Sequence, residues 1–346
     1  MVRLRSKYLR SILALSIGAF LVLSIWAFWE SRRAAQLEDA LREVRMELGR
    51  VQLEAARNQV PVRSAALPES EYTVPDSAAP DSGLSAADIL AGTQIIAHGM
   101  GAVEELWTEG SAPLNCLEGF LEGFLEGYEA GVRVFEADLR LTRDGKVVLR
   151  HDWWPSDWQE GINGASVPTR EEFLSKPIFG VYTPLSFLDL LLLLEEYPDI
   201  CIITDTKFTD PDVIFIQFQS MVADAKALDR LDLFQRIAVQ LYSGPMRQCL
   251  DNIYPFPHRI YTLYTEGFGQ TAEAFRERAA YCAEKGIQGI AMWGDWWDPA
   301  YGAIAQEYGV AVYVHTVNDA SAARELLESG VDAVYTDILT PGDLTG

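Results

Sequence analysis

Hydrophobic and polar positions alternate regularly over the last three-quarters of the chain. Short apolar, β-branched runs recur there, and most are followed by an amphipathic stretch long enough for a helix. The eight apolar runs are residues 93–98, 132–139, 200–206, 236–242, 259–264, 287–293, 310–316 and 331–337. Amphipathic segments between them include 185–196, 212–229, 271–285 and 319–329. This alternation predicts a parallel sheet covered by helices.

The segment that carries the alternation, residues 91–346, has the usual size of one eight-stranded barrel, about 250 residues. We therefore predict an α/β fold, a (β/α)8 TIM barrel. One extra hairpin is expected in TRDGKVVLRHD, with Asp144 and Gly145 at its turn. The alternative architecture is a doubly wound open sheet, but no glycine-rich phosphate loop follows the first predicted strand.

The first 30 residues have a different pattern and predict a membrane anchor. Residues 11–29 are uncharged and mostly apolar, and as a helix they would be about 28 Å long, close to one hydrocarbon core. Trp26 and Trp29 stand at the far end, and four positive residues precede the run. The expectation is a single-pass membrane protein with a cytoplasmic N-terminus and an extracytoplasmic C-terminal domain. A cleaved signal peptide is the alternative.

Two further segments separate the predicted anchor from the barrel. Residues 31–59 carry apolar side chains at alternating spacings of three and four, which predicts a helical stalk with a short coiled-coil seam. Such a stalk would allow a homodimer, and a single solvated helix is the alternative. Residues 60–90 are rich in proline, serine, alanine and aspartate, and are predicted to be a flexible linker.

The net charge of the chain argues against one class of binding partner, nucleic acids. Fifty acidic residues against 28 basic ones give a formal charge of −22. So acidic a surface repels polyanions at long range, and no nucleic-acid partner is expected. The four cysteines show no metal-binding spacing and are expected to be mostly small buried residues.

Charged side chains gather at the C-terminal ends of the predicted strands, where a barrel carries its active site. Because side chains alternate along a strand, one face of the second strand presents apolar residues followed by two carboxylates, and the third strand repeats this pattern. A histidine ends the first strand and another ends the hairpin. The residues concerned are His98, Glu136, Asp138, His151, Asp205 and Lys207.

This group of residue types points to chemistry at phosphorus. Neighbouring buried carboxylates repel one another unless a cation compensates them, and oxygen ligands without thiolates favour Ca²⁺ or Mg²⁺. A divalent ion can hold a phosphate oxygen while two histidines act as general base and general acid. Taken singly, a strand-end histidine or the Asp205–Lys207 pair could be structural. Together they predict a metal-dependent phosphodiesterase.

The same residues resemble the glycerophosphodiester phosphodiesterase family, a (β/α)8 branch of the phospholipase C-like superfamily. The resemblance covers about 91–340 and rests on IIAHGMG, FEADLRLTRDGKVVLRHD, TDTK, VQLY and the closing HTVND and GVDAVYTD. It implies His98 and His151 as catalytic residues, and Glu136, Asp138 and Asp205 as metal ligands. It also implies Lys207 as a phosphate contact, and Gln240 and Asn115 as substrate contacts.

The activity implied by the resemblance is hydrolysis of a glycerophosphodiester to glycerol 3-phosphate and an alcohol, with attack of the glycerol 2-hydroxyl on phosphorus as one route. The substrate would be a small or lipid-derived phosphodiester. Two alternatives stay open at this point. One is a phospholipase C- or D-like hydrolase of lysophospholipid or of a cell-wall glycerophosphate polymer. The other is a catalytically inactive barrel used as a surface binding module.

The sequence departs from the family pattern at four positions. Gly99 stands where the family has a phosphate-binding arginine, and Leu114 stands where it has a glutamate. Asp205 replaces the commoner glutamate, and His315 replaces the commoner tryptophan. The missing positive charge could come from Arg140 or Arg150.

Two further features concern packing and the mouth of the barrel. LEG occurs three times at a spacing of four, so Gly119, Gly123 and Gly127 form a stripe that we expect to pack closely on the barrel. Seven tryptophans beyond the anchor follow strand or hairpin ends. An aromatic rim at the mouth is the functional interpretation, with Trp293 as a substrate contact, and loop packing is the alternative.

Overall fold

The computed structural model describes residues 83–103, 119–153, 159–162, 166–265 and 267–345. The predicted anchor, the stalk and most of the linker lie outside these residues, and so does Asn115. The prediction of a stalk-mediated homodimer therefore stays untested.

Eighteen strands and α-helices follow one another in the described part of the chain. The strands are β1 (Ile95–Ala97), β2 (Val134–Leu141), β3 (Val147–Leu149), β4 (Cys201–Asp205), β5 (Ile237–Leu241), β6 (His258–Thr262), β7 (Gly289–Trp293), β8 (Ala311–His315) and β9 (Ala333–Thr336). The helices are α1 (Ala86–Ala91), α2 (Leu121–Glu129), α3 (Arg170–Leu174), α4 (Phe187–Glu196), α5 (Pro211–Ala227), α6 (Gly244–Asp251), α7 (Ala272–Lys285), α8 (Ala300–Tyr308) and α9 (Ala320–Glu328).

Eight of the strands close into a parallel barrel. The order β1-β9-β8-β7-β6-β5-β4-β2 is completed by a parallel pairing of β1 with β2, in which Ala97 faces Phe135. The predicted (β/α)8 architecture is confirmed for this part of the chain, and the open-sheet alternative is wrong. Each of the eight apolar runs overlaps a barrel strand.

Side-chain alternation divides the core into two layers. Inward positions such as Val134, Ile203, Ile260 and Tyr335 form one buried cluster inside the barrel, and α1 packs into the same cluster. Outward positions form a larger cluster with the surrounding helices. Because both faces of every strand are covered, the strands are apolar along most of their length, which is why the sequence pattern located them.

The hairpin is the one antiparallel part of the sheet. β2 continues past the barrel and pairs with β3, with Leu139 opposite Leu149 and Leu141 opposite Val147. The amide of Arg150 then donates to the carbonyl of Asp138 over 2.9 Å. His151 is therefore brought back beside the end of β2, as predicted.

The expected single-pass membrane topology has to be corrected. In the part of the chain that the structure describes, no helix is long and apolar enough to cross a membrane. The longest described helix, α5, has 17 residues and contains Asp212, Asp224 and Lys226, whereas a span needs about 20 mostly apolar residues. Residues 11–29, on which the expectation rested, lie outside the described residues.

Candidate active site

The last inward positions of the barrel strands meet in one cavity at the C-terminal ends. The cavity has a volume of about 370 Å³, and its lining includes His98, Glu136, His151, Asp205 and Lys207. Gln240 and Trp293 line it as well. Apart from Asn115, which is not described, and Asp138, which lies buried beside Lys207, the structure thus brings every predicted site residue to this cavity.

Three buried carboxylates stand together on β2 and β4. Glu136, Asp138 and Asp205 are each at most 5% exposed, and one oxygen from each lies within 4.8 Å of the others. The strands are in register here, because Glu136 faces Ile203 and Asp138 faces Asp205. The three side chains therefore lie together in one site, and together they could hold a metal ion.

The surroundings of this cluster shift the pKa values of Glu136 and Asp138 in opposite directions. Burial and the neighbouring Asp138 raise the pKa of Glu136 well above its ordinary value. Burial opposes ionisation of Asp138 too, but Lys207, His151 and His98 outweigh it and lower the pKa of Asp138. Three carboxylates with one nearby ammonium thus leave an excess of negative charge that favours a cation.

Lys207 lies between two of the carboxylates. Its Nζ is 2.6 Å from Oδ1 of Asp138 and 2.5 Å from Oδ2 of Asp205. Burial would lower the pKa of Lys207, but the surrounding carboxylates raise it, so the side chain is a fixed positive charge. Its backbone has a φ of +53°, a conformation uncommon for a residue with a side chain.

His98 is oriented by the carboxylate of Asp337, the residue that directly follows β9. Its Nδ1 lies 2.7 Å from Oδ1 of Asp337. A carboxylate only accepts hydrogen bonds, so this contact places the ring proton on Nδ1. The other ring nitrogen, Nε2, lies 4.0 Å from Oε2 of Glu136 and is left as the basic atom beside the carboxylate cluster.

Asp337 is itself held by Asn318. The Asn318 amide donates from Nδ2 to Oδ2 of Asp337 over 2.6 Å, and Asn318 Oδ1 accepts from the Asp337 backbone amide over 2.8 Å. Thr336 donates to the same Oδ1 over 3.0 Å. Both oxygens of Asp337 are therefore engaged, and its orientation toward His98 is fixed.

His151 has a similar but more exposed arrangement. Its Nδ1 lies 2.7 Å from Oδ2 of Asp152, and Arg140 donates to Oδ1 of Asp152 and to the His151 carbonyl, each over 2.7 Å. Burial would raise the pKa of Asp152, but His151 and Arg140 lower it. Two carboxylate-supported imidazoles thus face one cavity, one within the barrel and one on the hairpin.

The opposite wall of the cavity is aromatic. Ring centroids of Trp293 and His315 are 4.2 Å apart, and that of Tyr264 is 5.6 Å from Trp293 and 5.2 Å from His315. Burial, with smaller effects of His98 and Lys207, lowers the pKa of His315 to about 3, so its ring is neutral. Deeper in the wall, Gln240 accepts from the hydroxyl of Tyr335 over 3.3 Å.

Comparison with protein families identifies the segment that contains much of this machinery. Residues 110–174 match the glycerophosphoryl diester phosphodiesterase family. The match includes Glu136 and Asp138 on β2, the hairpin and His151. This segment of the chain is therefore similar to the glycerophosphoryl diester phosphodiesterase family. The predicted family and the predicted enzyme class, a phosphodiesterase, are thereby confirmed.

Solved structures with the same fold include members of this family. A phosphodiesterase from Oleispira antarctica, determined with the product sn-glycerol-3-phosphate, is 20% identical, with a TM-score of 0.56 over 73% of this chain and 96% of that one. Glycerophosphodiester phosphodiesterases from Parabacteroides distasonis (19% identical, TM-score 0.55, 72% and 94% covered) and Agrobacterium tumefaciens (18%, 0.53, 71% and 96%) are also similar. At these identities the likeness shows the fold alone. No curated protein matches the chain.

The structure shows the contacts of Gly99, which departs from the family pattern, and of the two arginines considered as substitutes for the missing charge. Gly99 has a φ of +56°, and its amide donates to Oε2 of Glu136 over 2.8 Å. Neither candidate for the missing positive charge lines the cavity in the described residues. Arg140 is bound to Asp152, and the fully buried Arg150 donates to the carbonyl of Asp152 over 2.8 Å.

The glycine stripe also has a structural role. A Cβ on Gly123 would lie 2.9 Å from the carbonyl oxygen of Gly101, in the loop that follows His98. One turn later, a Cβ on Gly127 would lie 3.0 Å from the ring of Phe135. The expectation of close packing is met, since α2 contacts the His98 loop backbone to backbone.

We expect Gly123→Ala to lower both stability and activity. Overpacking typically costs about 1–3 kcal/mol, which exceeds the gain of about 1 kcal/mol in helix propensity, and the displaced loop would move His98. Thermal unfolding and turnover measure the two effects. The control is Gly127→Ala, where the added methyl meets a ring outside the cavity and activity should be kept. Full activity in Gly123→Ala would show that the contact does not position the loop.

The predicted ring of seven tryptophans is only partly right. Trp293 lines the cavity and is 43% exposed. Trp297 instead donates from Nε1 to Ser329 over 2.8 Å, and Trp296 packs near Phe268. Trp153 packs edge-on against Phe173. For these three, the packing alternative is correct, and Trp107, Trp154 and Trp158 lie outside the described residues.

Sequence reasoning missed the two carboxylates that support the histidines. Asp337 has the same parity as Ala333 and Tyr335, which point into the barrel from β9. The alternation that located Glu136 could therefore have located Asp337. Asp152 directly follows His151, and its role depends on Arg140 reaching across the hairpin.

Proposed function

We propose that this phosphodiesterase is metal-dependent and hydrolyses glycerophosphodiesters to glycerol 3-phosphate and an alcohol. The observation that supports this most is the placement of three buried carboxylates between two carboxylate-supported histidines. The structure of the Oleispira antarctica relative with sn-glycerol-3-phosphate supports the product assignment.

The carboxylates of Glu136, Asp138 and Asp205 are suited to binding a divalent cation because each has a buried oxygen without a hydrogen-bond partner among the described residues. Oε1 of Glu136, Oδ2 of Asp138 and Oδ1 of Asp205 are buried without a hydrogen-bond partner among the described residues. Unpaired buried carboxylate oxygens are costly, and a hard cation such as Ca²⁺ or Mg²⁺ would satisfy one from each residue. When bound, it would supply charge stabilisation for a phosphoryl oxygen.

The protein's own residues account for the proton transfers. Displacement at phosphorus forms a bond to the attacking oxygen, which belongs to water or to the glycerol 2-hydroxyl, and breaks the bond to the leaving alcohol. A cyclic phosphate formed by the 2-hydroxyl is then opened by water to give glycerol 3-phosphate. One imidazole takes the proton of the attacking hydroxyl, and the other gives a proton to the leaving oxygen. Asp337 and Asp152 stabilise the protonated forms of His98 and His151.

Lys207 and the aromatic wall position the substrate in this proposal. The Lys207 ammonium is the cationic side chain lining the described cavity, so it contacts the phosphate that the acidic chain would otherwise repel. Gln240 and Trp293 contact the organic part. Asn115 remains a proposed contact from outside the described residues.

The test is release of glycerol 3-phosphate from glycerophosphocholine and glycerophosphoethanolamine by the full chain, with Ca²⁺, Mg²⁺ or EDTA. We expect turnover with one of the metals, loss in EDTA, and loss in His151→Gln. Turnover that is unchanged in EDTA would exclude the metal. A folded, metal-binding protein that releases no glycerol phosphate from either compound would exclude the proposed substrate class.

A further inference from the structure

The cavity is divided into two chemically different halves by the order of the strands. The charged groups lie on or just after β1, β2 and β4 and at the end of the hairpin, whereas Tyr264, Trp293 and His315 follow or end β6, β7 and β8. These are neighbouring strands on the far side of the barrel. A substrate whose phosphate lies on the charged half therefore extends its organic substituent over the aromatic half.

We propose that the aromatic half binds a cationic, quaternary ammonium substituent of the phosphodiester, with the exposed face of Trp293 as the main contact. This inference rests on the proposed function and adds the chemical class of the leaving alcohol. Indole is the best cation–π partner among side chains, and Trp293 is 43% exposed although it stands at the end of a barrel strand.

The surroundings of Trp293 favour a cation over a neutral polyol. Polyol hydroxyl groups need acceptors and donors at close spacing, whereas the ring contacts of Trp293 are with Tyr264 and His315, and the polar side chains that line the cavity include Thr265 and Thr316. Gln240 is only 3% exposed and is already bonded to Tyr335. A quaternary ammonium group donates no hydrogen bond, so it gives up no hydrogen bonds to water when it binds to such a surface.

The charge distribution points the same way. His315 is buried and neutral, so it adds an aromatic ring to the wall without adding positive charge. Burial, and then the negative charges of Asp205 and Glu136, raise the pKa of Tyr264, which shows that the field of the carboxylates reaches this wall. The cation lining the described cavity, Lys207, is held by Asp138 and Asp205 on the other side.

The test compares two substrates that differ in charge. The full chain is assayed for kcat/KM on glycerophosphocholine and on glycerophosphoglycerol, as wild type, Trp293→Ala and Trp293→Phe. We expect the wild type to prefer the choline compound by about tenfold, within the range of cation–π interactions. Trp293→Ala should lose most of this preference by slowing the choline compound alone, and Trp293→Phe should keep part of it.

Trp297→Phe is the matched control, since it changes an aromatic residue that packs outside the cavity and should leave the preference unchanged. Equal rates for the two substrates in the wild type, or an equal loss of both in Trp293→Ala, would overturn the inference. Preference for glycerophosphoglycerol would point to a polyol and overturn it as well.

A binding measurement separates this inference from the proposed function. If neither substrate is hydrolysed, the proposed function fails, and calorimetric titration with choline and with its neutral isostere 3,3-dimethylbutanol still decides the question. Choline binding that exceeds that of the isostere and is lost in Trp293→Ala would support the cationic subsite. Equal binding of the two probes, or none, would refute it.

Discussion

Glu136→Gln is expected to lower kcat/KM by about 10³-fold or more, because it removes one of three buried carboxylates that would hold a divalent cation. The substitution is nearly isosteric, and the new amide oxygen can still accept from the Gly99 amide. Steady-state assays with Mg²⁺ or Ca²⁺ measure the loss. A variant with wild-type turnover would show that the carboxylate cluster is not needed for the reaction.

The same variant should separate metal binding from folding. A ligand at 100 times its Kd stabilises a protein by about 2.7 kcal/mol, so saturating metal should raise the Tm of the wild type by roughly 5–10 °C. Glu136→Gln should lose that rise. Without metal it should unfold at or above the wild-type temperature, because burial and Asp138 oppose the charge on Glu136.

Asp224→Asn is the matched control for this experiment. Asp224 is also a carboxylate with 5% exposure, but it lies on α5 and pairs with Lys146 over 3.5 Å, away from the cavity. It should keep both the metal-induced rise in Tm and the activity. If it loses them as Glu136→Gln does, neutralising any buried carboxylate would suffice, and the effect at Glu136 could not be assigned to a metal.

Asp337→Asn should lower kcat by about 10²- to 10⁴-fold with little change in KM, because an asparagine amide can donate to Nδ1 of His98. The ring proton would then move to Nε2, and the basic atom would no longer face the carboxylate cluster. Kinetics measure the loss, and ¹⁵N shifts of the His98 imidazole report the tautomer directly.

The control for Asp337 is Asp332→Asn, the same change shortly before β9, where the carboxylate accepts from the Val312 amide over 2.7 Å. It should leave kcat and the His98 tautomer unchanged. Asp337→Glu should recover part of the activity, because it restores an acceptor. An Asp337→Asn variant with wild-type kcat, or with Nδ1 still protonated, would remove Asp337 from the positioning of His98.

The parts of the fold that sequence could predict are those with a strong local signal. The barrel strands are buried on both faces and read as apolar runs, so their positions followed from the pattern alone. Alternation within β2 and β4 then placed Glu136, Asp138 and Asp205 on the inner face. Each of these inferences uses residues within one strand, where geometry is set by the backbone.

The parts that sequence could not predict depend on distant contacts or local turns. Asp337 lies 239 residues from His98 along the chain, and only closure of the barrel between β1 and β9 makes them neighbours. The short 3₁₀ turn of Gly294–Trp296 after β7 redirects the chain, so Trp296 and Trp297 leave the mouth although they follow the same strand as Trp293. A position after a strand end does not fix where the side chain points.

The pairing of β2 with β3 also has a consequence for how the chain can vary in length. Asp138 directly precedes one arm of an antiparallel ladder and His151 closely follows the other arm, and the two arms are joined by the turn of Thr142–Lys146. Moving one arm by a single residue would turn every side chain on it to the opposite face. Substitutions within the turn should therefore be tolerated. A change in the number of its residues should not be, because it would alter the position of the His151 imidazole relative to the Asp138 carboxylate.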